Sequence, residues 1–318
     1  MLREDPKRTP ATRWMILLAV IFLVCTEIQN LGFIRNQNVF DWDISSVTYP
    51  AVSIVNGADK ISDTRRSLTD MMKDSGTGKQ YRHHFDRYYK KWLAPYRDLQ
   101  DAKILEIGAK GGKSLSVWVE YFSLPELIVG LAYGVGTENV EDKNSREEKV
   151  KIIRGDQSKK ETMDQLNELG SWDVIIDDGS HHPEHVIFSL FSLWKSVRPG
   201  GIYVVEDLET GYWKAGTDVY GYKLHGGMNA GPKENTSNKI KQFIEILQRH
   251  HLGVPKLSIM PGDEWMCSVE FGMNLVVLRK CTEEDMAESP GRMPWDKVDR
   301  KEVNQWLNDA LLSNPQYT

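Results

Sequence analysis

Two short apolar runs, residues 174–176 and 202–205, each end in a pair of acids, Asp177-Asp178 and Glu206-Asp207. Runs of Val and Ile read as buried parallel strands, whose carboxyl ends deliver side chains to a ligand crevice. Four carboxylates brought to one edge of a partly dry cleft cost several kcal/mol unless a cation balances them. Carboxylate oxygens favour a hard divalent ion such as Mg²⁺. Beside the first pair stands Gly179-Ser180-His181-His182-Pro183. Proline suits the first helical position, which leaves His181 in the loop facing the crevice as a candidate base, with His182 as its rival. Competing chemistries find little support. His181 and His185 do not share a helix face if Pro183 starts the helix, and no HExxH is present. Ser180 lacks a nucleophile elbow, and Gly112-Lys113-Ser114 lacks the glycine spacing of a phosphate-binding loop.

Strand and helix signals alternate around these residues, which argues a doubly wound, Rossmann-like parallel α/β sheet. Residues 103–107 form a buried strand that runs into a turn carrying Gly108, Gly111 and Gly112, where a nucleotide-like cofactor can approach the backbone. Glu106 at the strand end either orders that turn or serves the fold alone. Asp156 and Gln157 follow a later strand and either cap a helix or line a pocket. A glycine-rich segment from Glu209 to Asn238 contains Tyr212, Trp213, Tyr220 and Tyr222; segments of this length at strand ends are commonly binding loops. Residues 268–271 and 274–278, joined by Gly272-Met273, read as a closing β-hairpin, and residues 239–250 as a helix.

At 318 residues with net charge −5, the chain has room for one large domain with additions, and nothing in it is basic enough to bind nucleic acid. The start departs from this composition. Arg3, Lys7, Arg8 and Arg13 precede 12 apolar residues, 14–25, and with residues up to 34 these approach the length of a membrane span. The expected organisation is a cytoplasmic tail (1–13), a signal-anchor (14–34), a stem (35–58), a helical cap (59–100), the main domain (101–285) and a C-terminal helix (286–318). Positive-inside bias places residues 35–318 in the lumen of the ER or Golgi; a cleaved signal and secretion is the alternative. The sequon Asn235-Thr236-Ser237 is compatible with either. Tyr81, Phe85, Tyr88, Tyr89 and Trp92 fall at helical spacing and are expected on one face of the cap. Of the three cysteines, Cys267 and Cys281 can pair only if the fold brings them together.

Taken together, residues 105–112, 155–158, 175–181 and 200–208 with Tyr212-Trp213 resemble class I S-adenosylmethionine-dependent methyltransferases, and most closely the metal-dependent sugar O-methyltransferases acting on macrolides and related glycosides. The resemblance implies Asp178, Glu206 and Asp207 as Mg²⁺ ligands and His181 as general base. It implies S-adenosylmethionine contacts from Glu106, Gly108, Gly111, Gly112, Asp156, Gln157 and Asp177, and Tyr212 and Trp213 as walls for a small-molecule or glycan acceptor. Homo-oligomers are compatible with it. One position departs from the family pattern: the second strand would end in an acid for the cofactor ribose, and Ala132 stands there, with Glu138 or Glu141 as substitutes. That departure admits a second reading, a membrane-anchored binding protein with a degenerate methyltransferase fold and no turnover; a methyltransferase for a small phenolic acceptor fits the same core.

Overall fold

The computed structural model describes residues 65–134 and 149–287, together with 301 and 305. The expected tail, signal-anchor and stem, the substitutes Glu138 and Glu141, and most of the C-terminal helix lie outside the described residues. No helix among the described residues is long and apolar enough to cross a membrane.

Five parallel strands make the centre: β1 (Ala102–Ile107), β2 (Pro125–Ala132), β3 (Val150–Arg154), β4 (Trp172–Asp177) and β5 (Val197–Glu206). The hairpin expected near residue 273 is present and longer than its apolar runs, as β8 (Met266–Phe271) and β9 (Leu275–Lys280). It extends the sheet in the order β3-β2-β1-β4-β5-β9-β8, with β9 antiparallel to β5. A separate two-stranded ribbon pairs β6 (Asp218–Val219) with β7 (Tyr222–Lys223).

Alternation along the strands sorts the core into two layers. Ile175, Tyr203, Val205, Val276 and Leu278 face one layer, closed by α5 (Lys160–Leu169), α6 (Pro183–Leu193), α7 (Thr236–Lys241) and α8 (Phe243–Gln248). Val174, Ile176, Ile202, Val204 and Val277 face the other. That layer is closed by α1 (Leu68–Ser75), α3 (Asp86–Trp92) and α4 (Lys113–Tyr121), and the short α2 (Gly78–Tyr81) connects α1 to α3. Met72, Phe85, Tyr89 and Trp92 belong to the same apolar cluster as the strands, so the described part of the expected cap is one layer of the core itself.

Two helical expectations need correction. The aromatic stripe does not lie on one helix. His84 takes φ 53° between α2 and α3, and its N–H bonds the Gln80 carbonyl while the Phe85 N–H bonds that of Lys79. This turn buries Phe85, Tyr89 and Trp92 and leaves Tyr81 55% exposed. The expected helix from 239 begins earlier, at Thr236, because the Asn235 side chain caps it through the Asn238 N–H, and it divides at Gln242. Asn235 is fully buried and donates its amide nitrogen to the Gly211 carbonyl. The sequon therefore offers no glycan attachment point in the folded chain.

Cys267 and Cys281 form a disulfide with Cα atoms 4.8 Å apart, tying the start of β8 to the end of β9 across a sequence separation of 14. A loop of that size is worth about 3 kcal/mol in the chain-entropy picture. Replacing Cys281 by Ser is expected to lower the unfolding free energy by about 2 to 3 kcal/mol in urea titrations. A midpoint unchanged by the substitution would show that the bond contributes nothing.

Candidate functional site

The carboxyl ends of β1, β4 and β5 meet, as adjacent parallel strands require, but the four expected acids do not all point into one cleft. Asp177, the last residue of β4, turns into the protein. Its carboxylate accepts from Gln157 Nε2 (2.8 Å), the Ser189 hydroxyl (2.9 Å) and the Tyr203 hydroxyl (3.1 Å), and burial raises its carboxyl to about 6. It does not line the cavity beside the strand ends. Its place in the acidic group is taken by Glu106, fully buried on β1.

Glu106, Asp178 and Glu206 share one cation that the sequence reading missed. Lys79 Nζ lies 2.5 Å from Asp178 Oδ2, 2.7 Å from Glu206 Oε1 and 3.3 Å from Glu106 Oε1. The last is an electrostatic contact only, because Glu106 Oε1 has no hydrogen-bond partner while its Oε2 accepts from Ser114. Burial alone would discharge Lys79, but the carboxylates outweigh it and hold the ammonium well above its ordinary pKa. Burial and the neighbouring Asp178 push the Glu206 carboxyl up, against the pull of Lys79 and of Tyr89, whose hydroxyl donates to Glu206.

Asp207 joins the group through its backbone: φ 53° and ψ 49° swing it out of the strand direction. Its Oδ2 is 3.6 Å from His181 Nε2 and its Oδ1 is 3.6 Å from His83 Nδ1, while Asn274 donates to Oδ1. His181 also has positive φ, 58°, and its Nε2 is 3.9 Å from Asp178 Oδ1. Ligand atoms of Asp178, His181 and Asp207 all lie within 4.8 Å of one another. Two carboxylates plus water and substrate oxygens are a donor set that suits Mg²⁺, so the residues present fit a hard divalent ion. Pro183 opens α6 with His182 as the preceding residue. His182 is buried, with Nε2 2.9 Å from the Lys223 carbonyl oxygen, and it does not face the acids.

Next to this group lies a cavity of about 220 Å³. Gly108 forms part of its floor at φ 96°, and a Cβ there would lie 1.9 Å from the Asp178 carbonyl oxygen, so only glycine fits. Gly111 and Gly112 have φ 68° and 69° and shape the turn behind the lining. Gln157 bonds both Asp177 and, through its Oε1, the Ser180 N–H. Asp156 accepts from the Ser158 N–H and from the Tyr222 hydroxyl at 2.6 Å, so it both orders its own turn and lines the cavity. The aromatics on the cavity are Tyr133, Tyr220 and Tyr222, and Tyr212 and Trp213 are not among its lining. Tyr220 lies beneath Lys110 Nζ (5.6 Å) and 6.1 Å from the His181 ring. Ala132 is buried at the end of β2.

Residues 105–208 match a family described as a methyltransferase domain. Among curated relatives, an 8-demethyl-8-alpha-L-rhamnosyl tetracenomycin-C 2'-O-methyltransferase of Streptomyces olivaceus is 32% identical over 217 residues, 64% of this chain and 52% of that protein. A demethylmacrocin O-methyltransferase of Streptomyces fradiae is 35% identical over 53% of this chain and 40% of its own length. The chain thus spans about half the length of the curated relatives it matches. The solved MycE methyltransferase of the mycinamycin biosynthetic pathway, in complex with Mg, SAH and mycinamycin VI, superposes with TM-score 0.57 at 27% identity, over 72% of this chain and 58% of that one.

One titrating group beside the cavity has a consequence for stability. Burial, helped by the stacked His182 ring, pulls His185 from 6.5 down to about 4. The folded state therefore resists a proton that the unfolded chain accepts, and stability falls as pH drops from about 6.5 towards 4. At pH 5 the loss relative to pH 7 is on the order of 2 kcal/mol from this group. Urea unfolding of His185→Gln at both pH values should show that difference reduced; an undiminished difference would place it elsewhere.

Proposed function

We propose that this chain, whose residues 105–208 match a methyltransferase-domain family, is an S-adenosylmethionine-dependent, Mg²⁺-dependent O-methyltransferase whose acceptor is a hydroxyl of a sugar in a glycan or glycoside. The observation that carries the reading is the adjacency of a glycine-floored cavity to Asp178, His181 and Asp207. Donor pocket and proton acceptor stand side by side. The O-methyltransferase activities of the relatives, on a rhamnosyl tetracenomycin and on demethylmacrocin, and the Mg and SAH of the MycE complex support it.

Methyl transfer breaks the sulfonium S–CH₃ bond, forms an O–CH₃ bond and releases the hydroxyl proton, so positioning supplies much of the rate. Asp156 and Gln157 would hold the adenine side of the donor, and the turn at Gly108, ordered through Glu106 and Ser114, its methionine side. Asp178, Glu206 and Asp207 would hold the divalent ion, which when bound orients an acceptor hydroxyl and makes it more acidic. His181 Nε2, 3.6 Å from Asp207 Oδ2, takes the hydroxyl proton as neutral imidazole. Tyr220, between Lys110 and His181, offers a flat face near the transfer point, in the role first given to Tyr212 and Trp213.

Ala132 favours a second reading, a binding protein without turnover, because no acid stands there for a ribose. Calorimetry with S-adenosylmethionine, with and without Mg²⁺, separates the two. The enzyme reading expects donor binding, methyl transfer to glycosides that a chelator stops, and a loss of turnover on the order of 10²- to 10⁴-fold in His181→Ala with donor binding retained. No donor binding with or without Mg²⁺ would favour the binder, and full turnover in His181→Ala would remove that residue's role.

We further propose that the chain is a single-pass protein facing the ER or Golgi lumen. The basic residues before the apolar run 14–25 and the Cys267–Cys281 disulfide, a bond of oxidising compartments, support this placement. Protease added to intact microsomes should spare residues 35–318; their digestion without detergent would refute a lumenal placement.

A further inference from the structure

Asp207 joins the acidic group from left-handed backbone, at φ 53°, and the residue that meets it across the sheet does the same. Strands β5 and β9 pair antiparallel as far as Glu206 with Leu275, so the next positions in that register are Asp207 and Asn274. Asn274 has φ 67°. It lies in the tip of the closing hairpin, where the Gly272 N–H bonds the Leu275 carbonyl at 2.8 Å and the Met273 N–H bonds the Tyr88 hydroxyl at 2.8 Å. For that backbone alone, Gly or Asp would serve as well as Asn.

The residue does more than the turn requires. Asn274 bonds three consecutive residues of the segment that leaves β5. Its main-chain carbonyl accepts from the Leu208 N–H (3.2 Å), its Oδ1 accepts from the Glu209 N–H (2.8 Å), and its Nδ2 donates to Asp207 Oδ1 (3.2 Å). A backbone N–H can only donate, so Glu209 fixes the amide with its oxygen towards the main chain and its nitrogen towards the carboxylate. Asp207 Oδ1 is thereby engaged by Asn274, with His83 Nδ1 3.6 Å away, while Oδ2 lies 3.6 Å from His181 Nε2. The same segment is tied to the loop of the proposed base, because the Thr210 hydroxyl lies 2.5 Å from the His181 carbonyl oxygen.

Resting on the reading that Asp178, Glu206 and Asp207 hold a divalent ion, we propose that Asn274 is a positioning residue for that site, which fixes the Asp207 carboxylate so that Oδ2 is the oxygen presented to the ion. Hydrogen bonds to a ligating carboxylate set its orientation and affinity, and a side chain ordered before the ion arrives loses less freedom when it binds. A neutral amide suits this task, since it donates to the carboxylate without adding a positive charge that would oppose the metal. Asn274 is not among the residues lining the cavity, so a change there reaches the metal site without altering the donor pocket.

The test is binding of Mn²⁺ to the full chain by calorimetry and paramagnetic resonance, beside binding of S-adenosylhomocysteine without metal, with circular dichroism to show that each variant folds. Asn274→Gly keeps the left-handed turn and removes the side-chain bonds. It is expected to weaken Mn²⁺ binding by about tenfold or more while changing S-adenosylhomocysteine binding by less than about threefold. Asn274→Ser, too short to reach both Asp207 and the Glu209 N–H, carries the same expectation, so failure of one variant to fold leaves the other to decide. Added to Asp207→Asn, Asn274→Gly should cost less than about threefold more, because both act on one carboxylate. Mn²⁺ binding unchanged in a folded Asn274 variant overturns the assignment, as does an equal loss of S-adenosylhomocysteine binding, which would mark Asn274 as a support of the whole fold. In either case the wild type still binds the ion and the metal reading stands. Wild-type protein that takes up no divalent ion overturns the metal reading and this assignment with it.

Discussion

An ammonium buried among three carboxylates sets the terms for the working edge of this sheet. Charges this far from water are tolerated only when paired and well placed, and Lys79 lies against Glu106, Asp178 and Glu206 with 3% of its surface exposed. Removing the lysine would leave uncompensated charge on two separate strands and on the loop after a third. The contact also fixes the helical layer. Lys79 belongs to α2, and its engagement with β1 and β5, together with Tyr89 on α3, anchors that layer to the strand ends.

Much of the architecture was legible because it follows from periodicity. Apolar runs separated by helical stretches gave the parallel strands, and the pair flanking Gly272-Met273 gave the closing hairpin. Pro183 located His181 in a loop, since proline tolerates the first turn of a helix and little else in it. The strand period also contained a warning. Neighbours on a strand point to opposite faces, so Asp177, the last residue of β4, follows the strand's alternation inward to Gln157, Ser189 and Tyr203, while Asp178 lies past the strand end.

What stayed hidden depends on contacts distant in sequence or on unusual backbone. Lys79 is 99 and 127 residues from the acids it pairs with, in a stretch where a lysine reads as solvent-facing. Asp207 and His181 enter the site through left-handed backbone at φ 53° and 58°, which neither residue type announces. The break at His84 and the early start of α7 at Thr236 have similar origins, a turn closed by tertiary packing and a cap supplied by a side chain buried beneath Gly211.

The small ribbon of β6 and β7 has a mechanical consequence. It is held across the cavity by the Tyr222 hydroxyl on Asp156, by His182 on the Lys223 carbonyl, and by Tyr222 against the edge of His185. Tyr220 and Tyr222 both line the cavity, so the ribbon forms part of its wall. Val219 and Leu224 are buried beside these ties, and none of the seven strands of the main sheet takes part in them. Rearranging the ribbon would therefore break none of the hydrogen bonds that pair the strands carrying Glu106 and Glu206.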